Sequence, residues 1–291
     1  MDSPLAKLGF GAAQFPLDAG MPARGRTPEA EVGDIMGLAA RAGLAVFDTT
    51  HAAPHAETVI GERLPRPCPY RVMIKSVRAD RGGDYIEDAA RASLRRLGLR
   101  AADTIVVQVA SDLMSPLGAD SWNRLCALRD EGVFNKIGVS VYASDDPAGL
   151  ARRFKPDVIQ APASLLDQRL LMDGSLARIA EMGIEVQLRS IFLQGLLFLP
   201  PDRVPGPMKG AASYLSRVRR MIAEGRSDPL QAALGFALSR PEASGVLVGV
   251  TSAAELQAII AAASRPPPDL DWNDMAAADP SALDPNGWAA A

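Results

Sequence analysis

Short runs rich in Val and Ile alternate along the chain with longer stretches of helical period. Eight such runs predict strands: KLGFGAAQ, LAVFDTT, RVMIKSV, TIVVQVA, KIGVSV, DVIQAPA, EVQLRSI and GVLVGV. The stretches between them predict amphipathic helices, and many of these end in Gly and follow an Asp, Ser or Thr that can cap the first turn. The pattern therefore predicts eight consecutive strand–helix units.

Near-continuous apolar strands joined by helices are typical of a parallel sheet that is covered on both faces. Eight units is the number in a (β/α)8 or TIM barrel, and we predict one α/β barrel domain over residues 1–291. A doubly wound open sheet is the alternative, but GFGAAQF lacks the third glycine of its phosphate loop. The Pro- and Gly-rich stretch at 200–210 predicts a long loop after the seventh strand, and the C-terminal tail is predicted to be irregular.

Composition narrows the choice of partners. The chain has 31 basic and 34 acidic residues, a net charge of −3, which gives no reason to expect nucleic acid or an anionic membrane. Cys68 and Cys126 lie far apart with no Cys or His at ligand spacing, so neither a disulfide framework nor a zinc module follows. No apolar segment approaches the roughly 20 residues of a membrane span, and the N-terminus lacks a signal-peptide pattern. We predict a cytoplasmic protein that acts on a small molecule, with no indication of its oligomeric state.

In a (β/α)8 barrel the active site forms at the C-terminal ends of the strands. The polar residues at or just beyond the predicted ends are Gln14, Asp48, His51, His55, Lys75, Gln108, Ser140, Gln160, Arg189, Ser190 and Thr251. Asp48 and Lys75 end neighbouring strands, and we expect them to pair because an unpaired buried charge costs roughly 3–5 kcal/mol. That pair either caps the barrel structurally or lets Lys75 tune a proton donor next to it.

Eight motifs carry a family resemblance, and they occur in order almost from end to end. They are LGFGAAQF, FDTTHAAPHAETVIGERL, IKSV, SLRRLGLRAADTIVVQ, GVFNKIGVSVY, DVIQAPASLLDQRLL, RSIFLQGLL and VLVGVTSAAELQAI. Together they resemble the aldo-keto reductase superfamily. DVIQAPASLLDQRLL and RSIFLQGLL resemble a subgroup that is often found near bacterial polysaccharide and nucleotide-sugar loci.

The resemblance implies an NAD(P)H-dependent oxidoreductase that acts on a carbonyl substrate, which a sugar-derived compound could supply. Family members use an Asp, Tyr, Lys, His tetrad, and Asp48 and Lys75 match two of its positions. The Tyr position holds Ala53 and the His position holds Gln108, so both residues that handle the proton are missing from the expected places. The alternative is a catalytically inactive or re-purposed homologue that binds a nucleotide, a sugar-like ligand or a protein partner.

For the cofactor, NADP or NAD, the resemblance implies contacts from several strand ends. These would come from Ser140, Gln160, Arg189 and Ser190, and from the loop residues Gly249, Val250, Thr251 and Ser252 before the last helix, whose backbone N–H groups suit a phosphate. Glu255, Ala258 and Ile259 stand where the family often contacts the 2′-phosphate and the adenine. Because Glu255 would repel a 2′-phosphate, we expect NADH to bind no worse than NADPH.

The only two histidines, His51 and His55, lie four residues apart shortly after Asp48. Either could replace the missing tyrosine as an acid, since an imidazolium has a pKa of about 6.5, although a nearby Lys75 would lower that pKa. His-x3-His is also a metal-ligand spacing, but Pro54 lies between the two residues and we predict no metal. The remaining alternative is that both are incidental loop residues.

Overall fold

The protein forms a closed parallel barrel in a computed structural model that describes residues 4–11, 27–204, 206–278 and 283. The strands within these residues are β1 (Leu8–Gly11), β2 (Val46–Thr50), β3 (Arg71–Lys75), β4 (Ala102–Val107), β5 (Phe134–Ser140), β6 (Val158–Pro162), β7 (Glu185–Arg189) and β8 (Gly245–Gly249). Each pairs in parallel with the next, and β8 closes the ring on β1. The predicted (β/α)8 barrel is confirmed and the open sheet is wrong. Gln14 lies outside the described residues.

Helices surround the barrel between the strands. In the described part of the chain they are α1 (Glu29–Arg41), α2 (Pro54–Arg63), α3 (Gly83–Leu97), α4 (Gly118–Asp130), α5 (Pro147–Phe154), α6 (Arg169–Met172), α7 (Ser175–Glu181), α8 (Ala212–Glu224), α9 (Pro229–Leu238) and α10 (Ala253–Ala263). Two of these helices, α8 and α9, lie between β7 and β8. Asp228 caps the second of them by accepting the N–H of Gln231 at 2.9 Å, and Pro229 fits only the first turn of a new helix.

The segment between β7 and α8 is the long loop that the sequence predicts at this point. It contains three short 3-10 turns, Leu193–Phe198, Pro201–Arg203 and Gly206–Ala211. After α10 the described chain has one further 3-10 turn, Asn273–Met275. Trp272 beside it packs edge-on against Phe236 of α9, with ring centroids 5.9 Å apart. The loop and, as far as residue 278, the irregular C-terminal segment therefore lie where the sequence predicts them.

Two separate apolar layers follow from the alternation of side chains along each strand. The lumen of the barrel holds its own small cluster, made of Val46, Met73, Val106, Val158 and Leu247. The other face of each strand packs under the helices in the main core. The lumen is full at this level: a Cβ on Gly9 would lie 2.7 Å from the Leu247 side chain, so glycine is required in β1. Polar side chains on the lumen side of the strands are therefore found at the mouth of the barrel, where the C-terminal ends of the strands lie.

None of the described helices is both long enough and apolar enough to cross a membrane. The longest of them, α3, has 15 residues and is strongly amphipathic.

Gly61 in the middle of α2 is expected to be indispensable. A glycine-to-alanine change inside a helix ordinarily stabilises it by about 0.5–1 kcal/mol. A Cβ on Gly61 would instead collide with the Arg96 carbonyl and lie 2.9 Å from the Leu97 Cα in α3. We expect Gly61→Ala to lower the free energy of unfolding by about 1–3 kcal/mol, measured by chemical denaturation.

Gly33 in α1 is the matched control for that change, because a Cβ there meets only the Arg63 side chain at 3.8 Å. Gly33→Ala should leave the free energy of unfolding unchanged or raise it. Equal effects of the two changes would show that α2 and α3 are not packed backbone to backbone.

Candidate active site

The alternation along the strands brings most of the sequence-predicted site residues to one place. Five of them follow a member of the lumen layer by two residues: Asp48, Lys75, Gln108, Gln160 and Gly249. Ser140 is in register with Gln160, and Arg189 is in register with Pro162, two residues further along β6. Because the strands are parallel, all of these positions lie at the same end of the barrel. The mouth of the barrel is therefore the candidate active site.

Asp48 and Lys75 form an ion pair at the mouth. Lys75 Nζ lies 2.7 Å from Asp48 Oδ2, and their side chains are only 17% and 7% exposed. Asp48 Oδ1 is buried and has no hydrogen-bond partner among the described residues. Among the described residues only the ammonium group holds the carboxylate, and the ammonium keeps further N–H donors for a ligand.

A cavity of about 210 Å³ opens over this pair. Its described lining consists of Gly11, Asp48, Lys75, Arg189, Ser190, Ile191, Phe192, Gln194, Gly195, Phe198, Leu247, Val248 and Gly249. The walls are mostly apolar and glycine-rich. The charged groups of this lining are one carboxylate and two cations.

Arg189 is the second cation of the cavity, and three contacts fix its guanidinium. Nη2 donates to the Val141 carbonyl at 2.8 Å, Nη1 donates to Ser190 Oγ at 3.3 Å, and the group lies 4.5 Å from the ring centroid of Tyr142. No carboxylate of the described residues forms an ion pair with it, and its Nε–H is buried without a partner. Arg189 is therefore held in place, and no carboxylate in the described part of the chain neutralises it.

Gln160 and Ser140 lie on the lumen side of neighbouring strands and are both buried. Gln160 donates through Nε2 to the Gln187 Oε1 at 3.3 Å, but its own Oε1 is buried with no partner in the described structure. An unsatisfied buried acceptor is costly and calls for an explanation, such as a ligand that donates to it.

Gln108 lies at the rim of the mouth and is exposed. Its Oε1 accepts the Thr50 hydroxyl hydrogen at 3.3 Å, so its amide is oriented from the β2 side. Gln108 does not line the cavity over Lys75.

His51 points away from the mouth, into the contact between α2 and α3. Its Nδ1 lies 2.9 Å from Arg96 Nη2 and 3.0 Å from Ser93 Oγ. Since a guanidinium can only donate, this nitrogen accepts and the imidazole is neutral in this arrangement. Burial, and then the charge of Arg96, lower the pKa of His51 below its usual value. The structure does not bring this side chain together with Lys75.

His55 is on the outer surface and is more than half exposed. Its Nε2 lies 3.4 Å from a carboxylate oxygen of Glu29 in α1. The residue between the two histidines that matters most, Ala53, is buried, and its methyl group packs in the main core. The histidines thus flank the start of α2, which begins at Pro54, and neither enters the cavity.

The start of α10 is already filled by oxygen atoms of the protein. The Thr251 N–H and hydroxyl both donate to Glu255 Oε2, at 2.9 and 3.0 Å, and the Ala253 N–H donates to Glu31 Oε2 at 2.8 Å. Ser252 Oγ accepts the Glu255 N–H at 3.1 Å. Of the predicted loop residues, Gly249 lines the cavity and Val250 is buried in the main core. The expected phosphate nest therefore carries two carboxylates.

The sequence predicted Ser190 as a site residue, but it did not predict that the segment from Ile191 to Phe198 forms a wall of the cavity. Three non-glycine residues here, Ser190, Leu193 and Gln194, have φ between 50° and 60°. Such left-handed conformations are costly and cluster at ligand-binding loops. In the sequence SIFLQGLL, only Gly195 could have indicated an unusual loop conformation at this point. Glu31 was also missed, because nothing in the sequence near it links α1 to α10.

Among the described residues, no group of three His, Cys, Asp or Glu side chains is arranged to hold a metal ion. The two histidines face different neighbours, so their spacing does not produce a shared site.

The fold and the mouth together define a (β/α)8-barrel protein with a charged site at the C-terminal ends of its strands. The aldo/keto reductase family profile matches residues 7–280, and the chain belongs to this family.

The chain is 29% identical over 126 residues to an aldo-keto reductase of Mycolicibacterium smegmatis. It is 35% identical over 120 residues to an aldo-keto reductase of a Mycobacterium species. These matches cover 42% and 40% of this chain and 44% and 41% of the relatives, so they span less than half of either relative. A solved aldo-keto reductase from Bacillus halodurans, in its holo form, superposes with a TM-score of 0.73 at 22% identity, over 94% of this chain and 93% of that one. That likeness shows the fold.

Proposed function

We propose that the chain is an oxidoreductase of the aldo-keto reductase type that reduces a carbonyl group over Lys75, with NADH as its hydride donor. The observation that carries this proposal is the Lys75–Asp48 ion pair, 2.7 Å long, on the wall of a cavity at the barrel mouth. Family membership supports the reaction class, and the pair supports the place where a carbonyl oxygen would bind.

Lys75 is the group that meets the charge developed in the reaction. The cofactor would supply a hydride to the carbonyl carbon, which leaves negative charge on the oxygen. The Lys75 ammonium donates a hydrogen bond to that oxygen, and Asp48 holds the ammonium in place. The alcohol forms when Lys75 gives up a proton to the oxygen, and Lys75 is then reprotonated from solvent next to Asp48.

Lys75 takes the role of proton donor because the neighbouring candidates cannot. The expected tyrosine position is Ala53, whose methyl group is buried in the core, and both histidines face away from the cavity. Gln108 can donate an N–H but cannot release a proton. A positioned acid contributes about 10²–10⁴ in rate, so a site without its tyrosine is expected to be slow.

The residues present suit the nicotinamide end of a dinucleotide, but they do not suit a 2′-phosphate on its adenosine end. The unpartnered buried Gln160 Oε1 suits an amide donor such as the nicotinamide carboxamide. At α10, Glu31 and Glu255 already occupy the amides, and they would repel the 2′-phosphate of NADPH. This difference is why we propose NADH.

Titration with the two cofactors tests the proposal. NADH should raise the melting temperature and change its own fluorescence on binding, and NADPH should bind at least tenfold more weakly. Glu31→Gln with Glu255→Gln should narrow that difference, whereas Glu224→Gln, a surface carboxylate, should not. If neither cofactor changes either signal at millimolar concentration, the reductase proposal fails.

A re-purposed homologue without reductase activity is the second candidate, favoured by the two carboxylates at α10. It would keep the cavity for a sugar-like ligand, a nucleotide or a protein partner. It is the function to pursue if the cofactor titration is negative.

A further inference from the structure

We propose that the cavity at the barrel mouth takes a small carbonyl compound that also carries a carboxylate, an oxo acid, with the carboxylate at Arg189 and the carbonyl oxygen at Lys75. This inference names the substrate class of the site and so rests on the proposed function for the carbonyl part. The carboxylate part stands on the cavity alone.

The charges that line the cavity do not balance. Lys75 is neutralised by Asp48, and every other described lining residue apart from Arg189 is uncharged. Arg189 thus contributes one unmatched positive charge to a partly enclosed space. Two other partly buried arginines, Arg96 and Arg169, are each paired with a carboxylate. A buried cation without a counter-charge is unfavourable, so a ligand with a single negative charge completes this site.

The two cations come from opposite sides of the barrel. In the closed strand order, β3 with Lys75 and β7 with Arg189 lie four strands apart, which is the opposite side of an eight-stranded barrel. Both nevertheless line the same cavity. A ligand between them would therefore meet one cation at each end, which suits a molecule with two oxygen functions.

The guanidinium of Arg189 is held ready for this contact. The Val141 carbonyl, Ser190 and the Tyr142 ring fix its plane, so little side-chain entropy is lost when an anion binds. The strained backbone at Ser190, Leu193 and Gln194 shapes the loop beside it.

The volume and the walls limit the size of the ligand. About 210 Å³ is below the range of roughly 300–1,000 Å³ that holds drug-sized molecules. Phe192 and Phe198, with ring centroids 5.3 Å apart, supply an apolar wall. A short-chain oxo acid fits these limits better than an intact sugar chain.

Binding without any cofactor tests this inference. The probes are pyruvate and 4-oxopentanoate, which differ in the distance between carbonyl and carboxylate, and the neutral amide of each. We expect at least one acid to stabilise the wild-type protein in thermal shift and calorimetry, with its amide at least tenfold weaker. Arg189→Met should weaken that acid about tenfold to a hundredfold, as loss of a charge-assisted contact does.

Arg240 offers the matched control, because it is also partly buried and stacked on a ring, that of Phe236, but lies outside the cavity. Arg240→Met should leave the binding of the acid unchanged. The inference is overturned if acids and amides bind equally, if Arg189→Met has no effect, or if ADP displaces the acid and depends on Arg189 in the same way. The last result would assign the charge to a cofactor phosphate.

The same measurements keep the two proposals apart. The acid-binding measurements contain no dinucleotide. If the cofactor titration fails, the result for acid binding therefore still holds. Loss of acid binding with normal NADH binding would overturn only the substrate class.

Discussion

Replacing Lys75 by methionine is expected to abolish carbonyl reduction and to destabilise the fold at the same time. In the proposed reaction the ammonium donates a hydrogen bond to the developing oxyanion, and loss of one such donor costs about 10²–10³ in turnover. The buried Asp48 carboxylate would lose the partner of its Oδ2 atom, and its Oδ1 atom already has no partner among the described residues. Removing one partner of a buried pair costs about 3–5 kcal/mol in the free energy of unfolding.

A second change separates the two effects. Asp48→Asn combined with Lys75→Met removes both charges, so most of the lost stability should return while the activity stays absent. Lys136→Met is the control on another ion pair, because Lys136 pairs with Glu185 outside the mouth and both are partly exposed. That variant should lose less than about 1 kcal/mol and keep its activity. Activity in the double variant would mean that Lys75 is not the group that meets the oxygen.

Arg96→Met is expected to be the most destabilising change outside the mouth. Arg96 donates to Glu57 Oε2 at 2.6 and 2.8 Å, and the Glu57 side chain is fully buried. Loss of the partner should cost about 3–5 kcal/mol. For a protein of this size that corresponds to a fall of roughly 5–8 °C in melting temperature, measured by calorimetry.

The loss of stability in Arg96→Met should depend on pH, and the pKa of Glu57 determines whether it grows or shrinks as the pH rises. Burial raises the pKa of Glu57 above its usual value even with Arg96 present, and removal of Arg96 would raise it further. A raised pKa means that the folded protein holds a proton which the unfolded chain releases above about pH 4.5. Stability of the variant is therefore retained at low pH and lost as pH rises through the folded pKa, so the loss at pH 7.5 should exceed that at pH 5.

Arg91→Met on the same helix is the control. Arg91 pairs with Glu87 and Glu131, and these groups are partly exposed to solvent. Its replacement should cost less than about 1 kcal/mol. Equal losses in the two variants would contradict the view that the Arg96–Glu57 pair derives its importance from burial.

The barrel was predictable because its signal is periodic and repeated. Each strand is an apolar run of the right length, and eight of them leave few arrangements. The same alternation placed Asp48 and Lys75 correctly, since neighbouring parallel strands end side by side. The break between α8 and α9 is the exception, although Asp228 and Pro229 form a legible start signal.

The orientation of His51 and the filling of α10 were not predictable, because both depend on contacts between distant segments. His51 faces α3 only because Arg96, 45 positions later, offers a donor there. Glu31 reaches the Ala253 N–H across 222 positions. No local pattern specifies such contacts. The sequence can therefore identify these residues as candidates, but it cannot predict the orientation of their side chains.

The two carboxylates at α10 have a practical consequence for anyone who looks for the activity of this chain in extracts. Affinity resins that carry adenosine 2′,5′-bisphosphate present a 2′-phosphate, which Glu31 and Glu255 at the start of α10 would repel. Such a column should let this protein pass into the flow-through together with its activity. Enrichment on a ligand without a 2′-phosphate is the procedure that suits this barrel.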